Sequence, residues 1–222
     1  MRRIACLLLI ASAGCIGLPK YVEPAVPEPV EETVDSLALA ADCLDRGNSK
    51  AAIPHLTDHV RKYPEQVMIR SLLAEQLLKL VKYNAARVEF ERSADEYRTD
   101  LAKHRELLIQ CHTRLMQIAQ EQGDEFAEPF HRGAGLLLVI EGWDKKDRDA
   151  KLNERTLSQA LTNLREAIEK QPQDARANLM LGEVLSRMGQ HAAARSAFLK
   201  AKSAWPGSFT NEEWNQIVEK SR

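Results

Sequence analysis

Apolar residues recur every three or four positions along much of the chain, which is the spacing of an amphipathic helix. The longest run covers residues 101–121, where the apolar stripe consists of Leu107, Leu108, Cys111, Leu115, Ile118 and Ala119. Gly123 ends this run, and Asp124 is placed to cap a second helix that continues through Ile140. The pattern therefore predicts a long helical hairpin over residues 101–142.

The composition also favours helices. The 222 residues include 10 Gly, 9 Pro and only 5% aromatic residues, whereas strand-rich folds need turn residues, aromatic residues and β-branched residues. Leu, Ala, Glu, Lys, Arg and Gln dominate, and these are good helix formers. We therefore predict an all-α fold. The net charge of −1 argues against a protein that binds the phosphates of nucleic acids.

Small and bulky residues recur at fixed intervals in several parts of the chain. In residues 175–208 the set consists of Gly182, Ala194, Phe198, Ala201 and Pro206. The same steps from Ala40 reach Ala52, Leu56, His59 and Pro64, and those from Ala74 reach Ala86, Phe90, Ser93 and Arg98. The second half of the pattern recurs alone as Ala160, Leu164, Ala167 and Pro172. Small residues let two helices cross closely, a bulky residue fills the gap, and proline ends the second helix. Gly47 and Gly189 stand at the turns between helices.

This pattern resembles the tetratricopeptide repeat (TPR), a helical hairpin of about 34 residues. The resemblance implies an all-α, TPR-like solenoid of antiparallel helix pairs, with about ten helices, over residues 33–222. Its repeats are expected near residues 33–66, 67–100, about 130–172 and 175–208. The third repeat is stretched by a polar insertion from Asp144 to Asn153.

Two parts of this domain depart from the repeat. The hairpin near residues 101–142 does not follow the TPR spacing, so we expect a change of superhelix pitch or an extra helix there. At the C-terminal end, residues 210–221 are expected to form a capping helix. Its start carries a capping box and a hydrophobic staple, formed by Phe209, Thr210, Glu213 and Trp214.

The first residues of the chain form a different kind of segment. Arg2 and Arg3 precede a short apolar run, and small residues at 12–14 precede Cys15. These features are typical of a secretory signal, and the apolar run is too short to cross a bilayer. Small residues before a cysteine resemble the bacterial lipoprotein signal, although Ser12 stands where Leu or Val is usual. We therefore predict a signal peptide at residues 1–14 and lipidation of Cys15, with simple secretion and cleavage nearby as the alternative.

A linker follows the predicted lipidation site. Residues 15–32 contain Pro19, Pro24, Pro27 and Pro29 and four glutamates. Proline and repelling charges favour an extended chain without a fold of its own. We expect a protein of the cell envelope, lipid-anchored to a membrane and facing the periplasm. Without the lipid it would be a soluble periplasmic protein.

Histidines and cysteines are the first candidates for chemistry. His55 and His59 stand four residues apart, which is a metal-ligand spacing, but no Glu lies between them as in zincins. Cys43 and Cys111 lie in separate hairpins, so we interpret them as buried thiols that do not form a disulfide. We assign no metal, cofactor or catalytic residue.

The densest polar cluster results from folding the hairpin about Gly123. This brings residue 112 near 133 and residue 114 near 131, and Gly133 and Gly135 would let the two backbones approach closely. The candidate polar pocket consists of His112, Arg114, Glu128, His131 and Arg132. We interpret the cluster as a polar seam between two helices. A metal or enzyme site around His112 and His131 is the less favoured alternative.

Inward-facing side chains of the first helices are the candidates for partner binding. They are Val34, Leu37, Ala41, Leu44, Met68, Ser71, Glu75, Leu78, Arg176, Leu179, Glu183 and Arg187. TPR proteins that bind C-terminal carboxylates carry Lys and Asn at such positions, and this sequence lacks that set. The first two repeats present mainly apolar residues, which favours a hydrophobic or helical peptide.

The resemblance as a whole implies a non-catalytic scaffold that binds another protein or peptide. TPR lipoproteins serve in outer-membrane protein insertion and in pilus secretin assembly, so a role in envelope assembly is the expected context.

Overall fold

The fold is built from helices alone in the residues that the computed structural model describes, which are 35–142, 150–205, Trp214, Asn215, Ile217 and Glu219. The helices are α1 (Ser36–Asp45), α2 (Ser49–Lys62), α3 (Val67–Lys79), α4 (Tyr83–Arg98), α5 (Leu101–Gln122), α6 (Ala127–Gly142), α7 (Ala150–Lys170), α8 (Ala175–Arg187) and α9 (His191–Ala204). None of the helices in these ranges has the length and apolar character needed to cross a membrane.

Helices pack in chain order. Each helix contacts the next one along the chain, and α6 also contacts α8. Short loops that join neighbours of this kind produce hairpins, and hairpins stacked in sequence form a solenoid. The predicted all-α, TPR-like fold class is thus confirmed.

The middle of the domain departs from a series of separate hairpins. α6 packs extensively against both α5 and α7, so residues 101–170 do not divide cleanly into two regular hairpins. Residues 150–153, which the sequence pattern assigned to a polar insertion, form the first turn of α7. Their sequence, Ala-Lys-Leu-Asn, contains no helix breaker, and Leu152 accepts a bond from the hydroxyl group of Thr156.

The predicted capping helix falls mostly outside the described residues, and so do Phe209, Thr210 and Glu213. Trp214, Asn215, Ile217 and Glu219 are helical. Trp214 and Ile217 pack against the hydrophobic core, and the ammonium group of Lys202 lies 4.2 Å from the ring centroid of Trp214. These contacts place an apolar face of the segment on the body of the domain.

Two hydrophobic clusters form the core. The first takes its buried residues from α1 to α5 and adds Leu138 from α6. The second takes its residues from the turn before α6 and from α6 to α9, and adds Ala119 from α5. The α5–α6 hairpin therefore contributes to both clusters.

Small residues lie where helices cross. Gly182 on α8 faces Phe198 on α9, and a Cβ atom added at Gly182 would lie 2.4 Å from the Phe198 ring. Ala194 on α9 has no exposed surface. The predicted roles of these three residues are confirmed by the contact.

Polar side chains tie the joints between repeats. The guanidinium group of Arg70 donates to the Pro64 carbonyl at 3.4 Å and to Glu89 at 2.8 Å. The Asn178 amide, six residues after Pro172, donates to the Pro172 carbonyl at 3.0 Å. Both prolines follow the end of a helix, as predicted. In both loops, a side chain from the following helix therefore satisfies the backbone carbonyl of the proline.

Four of the helices in the described residues end in a left-handed turn. Gly47, Gly123 and Gly189 have φ values of 70°, 64° and 71°, and Val81 has a φ of 58°. In each case the following amide donates to the carbonyl five residues earlier, for example Lys82 to Leu77 at 3.0 Å. The three glycine turns confirm the predicted breaks, whereas Val81 is a β-branched residue in a conformation that favours glycine.

Replacing Val81 with glycine should stabilise the protein. The strain of an L-residue in this conformation is about 1–2 kcal/mol, while glycine adds about 0.5–1 kcal/mol of chain entropy to the unfolded state. Val81 is 63% exposed, so little packing is lost. We expect Val81→Gly to raise the free energy of unfolding by about 0.5–1 kcal/mol in urea titrations.

The matched control is the reverse change at the equivalent turn, Gly189→Val. A Cβ atom added at Gly189 meets nothing within 4 Å, so only backbone strain should lower the stability. A Val81→Gly variant that is less stable than the parent would contradict this account of the turn.

Candidate functional site

The predicted partner-binding residues of α1 and α3 keep accessible surface. Those that the structure describes are Leu37, Ala41, Leu44, Met68, Ser71, Glu75 and Leu78, and each is half-buried or exposed. Met68 is 66% exposed. Val34 lies outside the described residues. We call the surface formed by these seven residues the α1–α3 face.

Helix α5 extends this face beyond α3. The Arg114 guanidinium on α5 donates to the Glu75 carboxylate on α3 at 2.7 Å. Arg114 was expected near His131, but its side chain points to α3 instead, because the Glu75 carboxylate offers a charged partner there. The sequence spacing within one hairpin could not reveal a neighbour from the preceding repeat.

Three of the four predicted residues of α8 line a cavity of about 500 Å³. Its walls come from the ends of α4 and α9 and from α5, α6 and α8. The lining residues are Arg98, Leu101, Leu108, His112, Ala134, Leu137, Leu138, Glu141, Ala175, Arg176, Leu179, Met180, Glu183 and Trp205. Arg176, Leu179 and Glu183 were predicted, and Arg187 binds Glu141 at 2.6 Å. Sequence reasoning missed most of the α5 and α6 lining, because its apolar residues resemble ordinary core positions.

One of the lining residues, His112, belongs to a pair of buried histidines. The Nδ1 atoms of His112 on α5 and His131 on α6 are 3.0 Å apart, so one ring donates an Nδ1–H hydrogen bond to the Nδ1 atom of the other. His112 is 2% exposed and His131 is 6% exposed. The prediction that folding about Gly123 brings these helices together holds, since a Cβ atom added at Gly135 would lie 3.8 Å from the Cβ atom of His112.

Gly133 lets α6 pack closely against α7, whereas the sequence predicted a close contact with α5. A Cβ atom added there would lie 2.7 Å from the Leu164 side chain and 3.3 Å from the Ala160 carbonyl on α7. The sequence pattern assigned this glycine to the α5–α6 contact. Residues 133 and 135 point to different sides of α6, and only Gly135 meets α5.

Burial keeps both imidazoles neutral. It lowers the pKa of His112 to about 3, and the positive charges of Arg98 and Arg176 act in the same direction. The pKa of His131 is also lowered well below 6.5, first by burial and then by His112, Arg176, Arg87 and Arg98. At neutral pH the pair is therefore an uncharged hydrogen-bonded contact.

The remaining residues of the predicted polar pocket lie apart from the histidines. Glu128 and Arg132 form an ion pair one turn apart on α6 at 2.5 Å, and the Gln120 amide donates to Glu128 at 3.1 Å. The five residues of that prediction are therefore split into a His112–His131 contact, a Glu128–Arg132 ion pair, and Arg114, which is bound to Glu75 instead. The geometry corresponds to a buried seam between two helices.

The other candidate residues have structural partners. His59 is buried, and its Nε2 atom is 2.9 Å from the Gln66 amide oxygen. Cys43 and Cys111 are free thiols, of which Cys111 is buried and Cys43 half-buried. Burial raises the pKa of the Cys111 thiol to about 12, which disfavours the nucleophilic thiolate. Within the described ranges, histidines, cysteines and carboxylates do not form a group of three that could hold a metal ion.

Helices that pack in chain order, with a partly exposed face on their first helices, define an α-helical repeat protein of the TPR-like class. Residues 149–209 match the family model described as tetratricopeptide repeat. This match includes all of α7, α8 and α9. No curated protein matches the chain.

Several solved structures are similar to this chain at low identity. A thermophilic TPR protein of Thermus thermophilus has 17% identity over 83% of this chain and 79% of that chain, with a TM-score of 0.40. MamA of Desulfovibrio magneticus has 14% identity over 79% and 96%, with a TM-score of 0.35. The TPR2AB domain of yeast Sti1 in complex with pHSP90 has 14% identity over 77% and 76%, with a TM-score of 0.39. Similarity at this level supports no inference about function.

Because the buried histidine pair is neutral, we expect the free energy of unfolding to decrease in mild acid. Because the pKa of each folded-state imidazole is lowered, the unfolded chain takes up protons below about pH 6.5 that the folded protein does not. The protein therefore has its full free energy of unfolding above about pH 6.5, and this free energy falls as the pH decreases below that value. At pH 5 the His112 contribution to this loss is about 2 kcal/mol.

Urea titrations at pH 7 and pH 5 measure this effect. His112→Asn should reduce the loss of unfolding free energy between the two pH values by about 2 kcal/mol. His191→Asn, at an exposed histidine on α9, is the control and should leave the loss unchanged. Equal losses in the parent and in His112→Asn would show that His112 is not held neutral by the fold.

Proposed function

We propose that the protein is a non-catalytic scaffold that binds a segment of another protein on its α1–α3 face. The observation that carries this proposal is that every described residue of α1 and α3 predicted to bind the partner keeps accessible surface. The inward-facing leucines of these helices pack only partly against the core behind them, and the rest of their surface is accessible. A repeat protein of this kind can present such a surface without rearrangement.

The chemistry of the face favours an apolar peptide. Leu37, Leu44 and Leu78 are half-buried against the core, and Met68 is largely exposed. Full burial of an exposed apolar side chain is worth about 1.5–3 kcal/mol, and the half-buried leucines would gain only part of it. A partner must therefore cover several of these side chains at once to offset the cost of association. Glu75 is already bound to Arg114, and that pair would lie at the polar edge of the contact.

We also propose that the scaffold is tethered to a membrane through a lipid on Cys15. The support is in the sequence: a charged start, a short apolar run and small residues before the cysteine. The Pro- and Glu-rich stretch that follows would hold the helical domain away from the lipid surface. A tethered scaffold of this type would act in envelope assembly, and without the lipid it would be a soluble periplasmic adaptor.

Site-specific cross-linking in cells tests the partner-binding face. A photoreactive amino acid is placed at Leu37, Leu44 or Leu78 in the full chain, and at Val88 or Leu199 as controls. Val88 on α4 and Leu199 on α9 are exposed residues of second helices, 42% and 53% accessible. We expect a discrete cross-linked protein band from the first three positions and none from the controls. Bands of equal intensity from all five positions would contradict a specific face.

Mass spectrometry of the N-terminus tests the tether. We expect the mature protein to begin at Cys15 with added acyl chains and to fractionate with membranes. Cys15→Ser should abolish both the acyl mass and the membrane association. A mature N-terminus without acyl chains, in a protein recovered from the periplasmic fraction, would favour the soluble adaptor.

A further inference from the structure

The α5–α6–α8 cavity has two chemically different ends. The guanidinium carbon of Arg176 lies 5.2 Å from the centroid of the Phe130 ring, near the start of α6. Glu183 lies seven residues after Arg176 on α8. Glu141, near the end of α6, is bound to Arg187. At 1.5 Å per residue, Arg176 and Glu183 are separated by roughly 10 Å along the helix. The carboxylates therefore lie at the opposite end from Arg176.

Two positively charged side chains line the cavity, one from the end of α4 and one from the start of α8. Arg98 and Arg176 both line the cavity, and both charges act on the buried His112 imidazole. Their contacts to carboxylates are long, 3.4 Å from Arg98 to Asp95 and 3.5 Å from Arg176 to Asp174. Several other ion pairs in the domain are shorter, for example 2.7 Å in Arg114–Glu75 and 2.6 Å in Arg187–Glu141. The two guanidinium groups thus retain the capacity to bind a further anion.

An unsatisfied polar atom lies in the same wall. The Nε2 atom of His112 is buried and has no hydrogen-bond partner, although His112 is part of the cavity lining. When His131 donates through Nδ1–H, the proton of His112 resides on Nε2. A buried donor without an acceptor is costly, so an acceptor brought to this wall would be stabilised.

The rest of the cavity wall is apolar. Between the two ends lie side chains that can surround a hydrocarbon group: Leu101, Leu108, Leu137, Leu138, Leu179 and Met180. The volume of about 500 Å³ falls in the usual range for small-molecule sites. A peptide backbone would need partners for each of its amide groups, and these walls supply few.

We propose that this cavity is a binding site for a small aliphatic carboxylate, whose head group lies between Arg98 and Arg176 and whose chain lies against the leucines of α5, α6 and α8. The carboxylate accepts hydrogen bonds from the two guanidinium groups and from the Nε2–H group of His112. The site is separate from the α1–α3 face, so it adds a ligand to the scaffold and does not depend on the proposed protein partner.

Isothermal titration calorimetry with octanoate tests the site. The full chain carries Cys15→Ser, which prevents lipid attachment and leaves the described residues unchanged. We expect saturable binding of octanoate with one site per chain. Octan-1-ol, which has the same chain without the charge, and acetate, which has the charge without the chain, should each bind at least tenfold more weakly.

Two variants and one control locate the head group. Arg98→Met and Arg176→Met should each raise the dissociation constant for octanoate at least tenfold. Arg61→Met removes an exposed arginine of α2 that pairs with Asp58, and it should bind like the parent. Arg98 is 42% exposed, so its variant is expected to fold even if loss of the Arg176–Phe130 contact unfolds the other.

Each of three results would overturn the proposal. The first is the absence of saturable octanoate binding at millimolar concentration, and the second is equal affinity for octanoate and octan-1-ol. The third is undiminished octanoate binding by a folded Arg98→Met variant, with folding checked by circular dichroism.

Discussion

The close approach of consecutive helices is the constraint on which the structure depends. Where helices cross, the chain carries glycine or alanine, and added bulk has no room: a Cβ atom would lie 2.4 Å from Phe198 at Gly182 and 2.7 Å from Leu164 at Gly133. Because each helix packs mainly on its neighbours in sequence, the angle at one crossing determines the position of every helix that follows. The α1–α3 face and the walls of the cavity form only if the helices cross at these close distances.

Local features of this fold could be predicted from the sequence, because they depend on residues close together in the chain. The glycine turns and the Gly182–Phe198 crossing are of this kind, and so is the His112–His131 contact, which follows from folding one hairpin about Gly123. Contacts between repeats could not be predicted in this way. The Arg114–Glu75 pair joins residues 39 positions apart, and no spacing rule specifies which carboxylate an arginine selects.

The cavity lies where the repeat pattern is interrupted. Helices α5 to α7 occupy the middle of the domain, and α6 contacts α8 as well as its neighbours in sequence. The lining combines side chains from α5, α6 and α8, which no single repeat contains. Each helix alone shows an ordinary apolar stripe, so the sequence suggested a core at these positions. The open space arises only from the way in which the three helices are arranged.

Both hydrophobic clusters contain residues of the α5–α6 hairpin, and this affects how cooperatively the domain unfolds. Leu138 of α6 belongs to the N-terminal cluster and Ala119 of α5 belongs to the C-terminal one, so neither half buries its core fully without the hairpin. Repeat arrays can lose structure from their ends while the centre persists. Amide hydrogen exchange should accordingly be slowest in α5 and α6, and the loss of protection there should coincide with global unfolding. The hairpin that departs most from the repeat pattern would then be the element that makes the two halves a single folding unit.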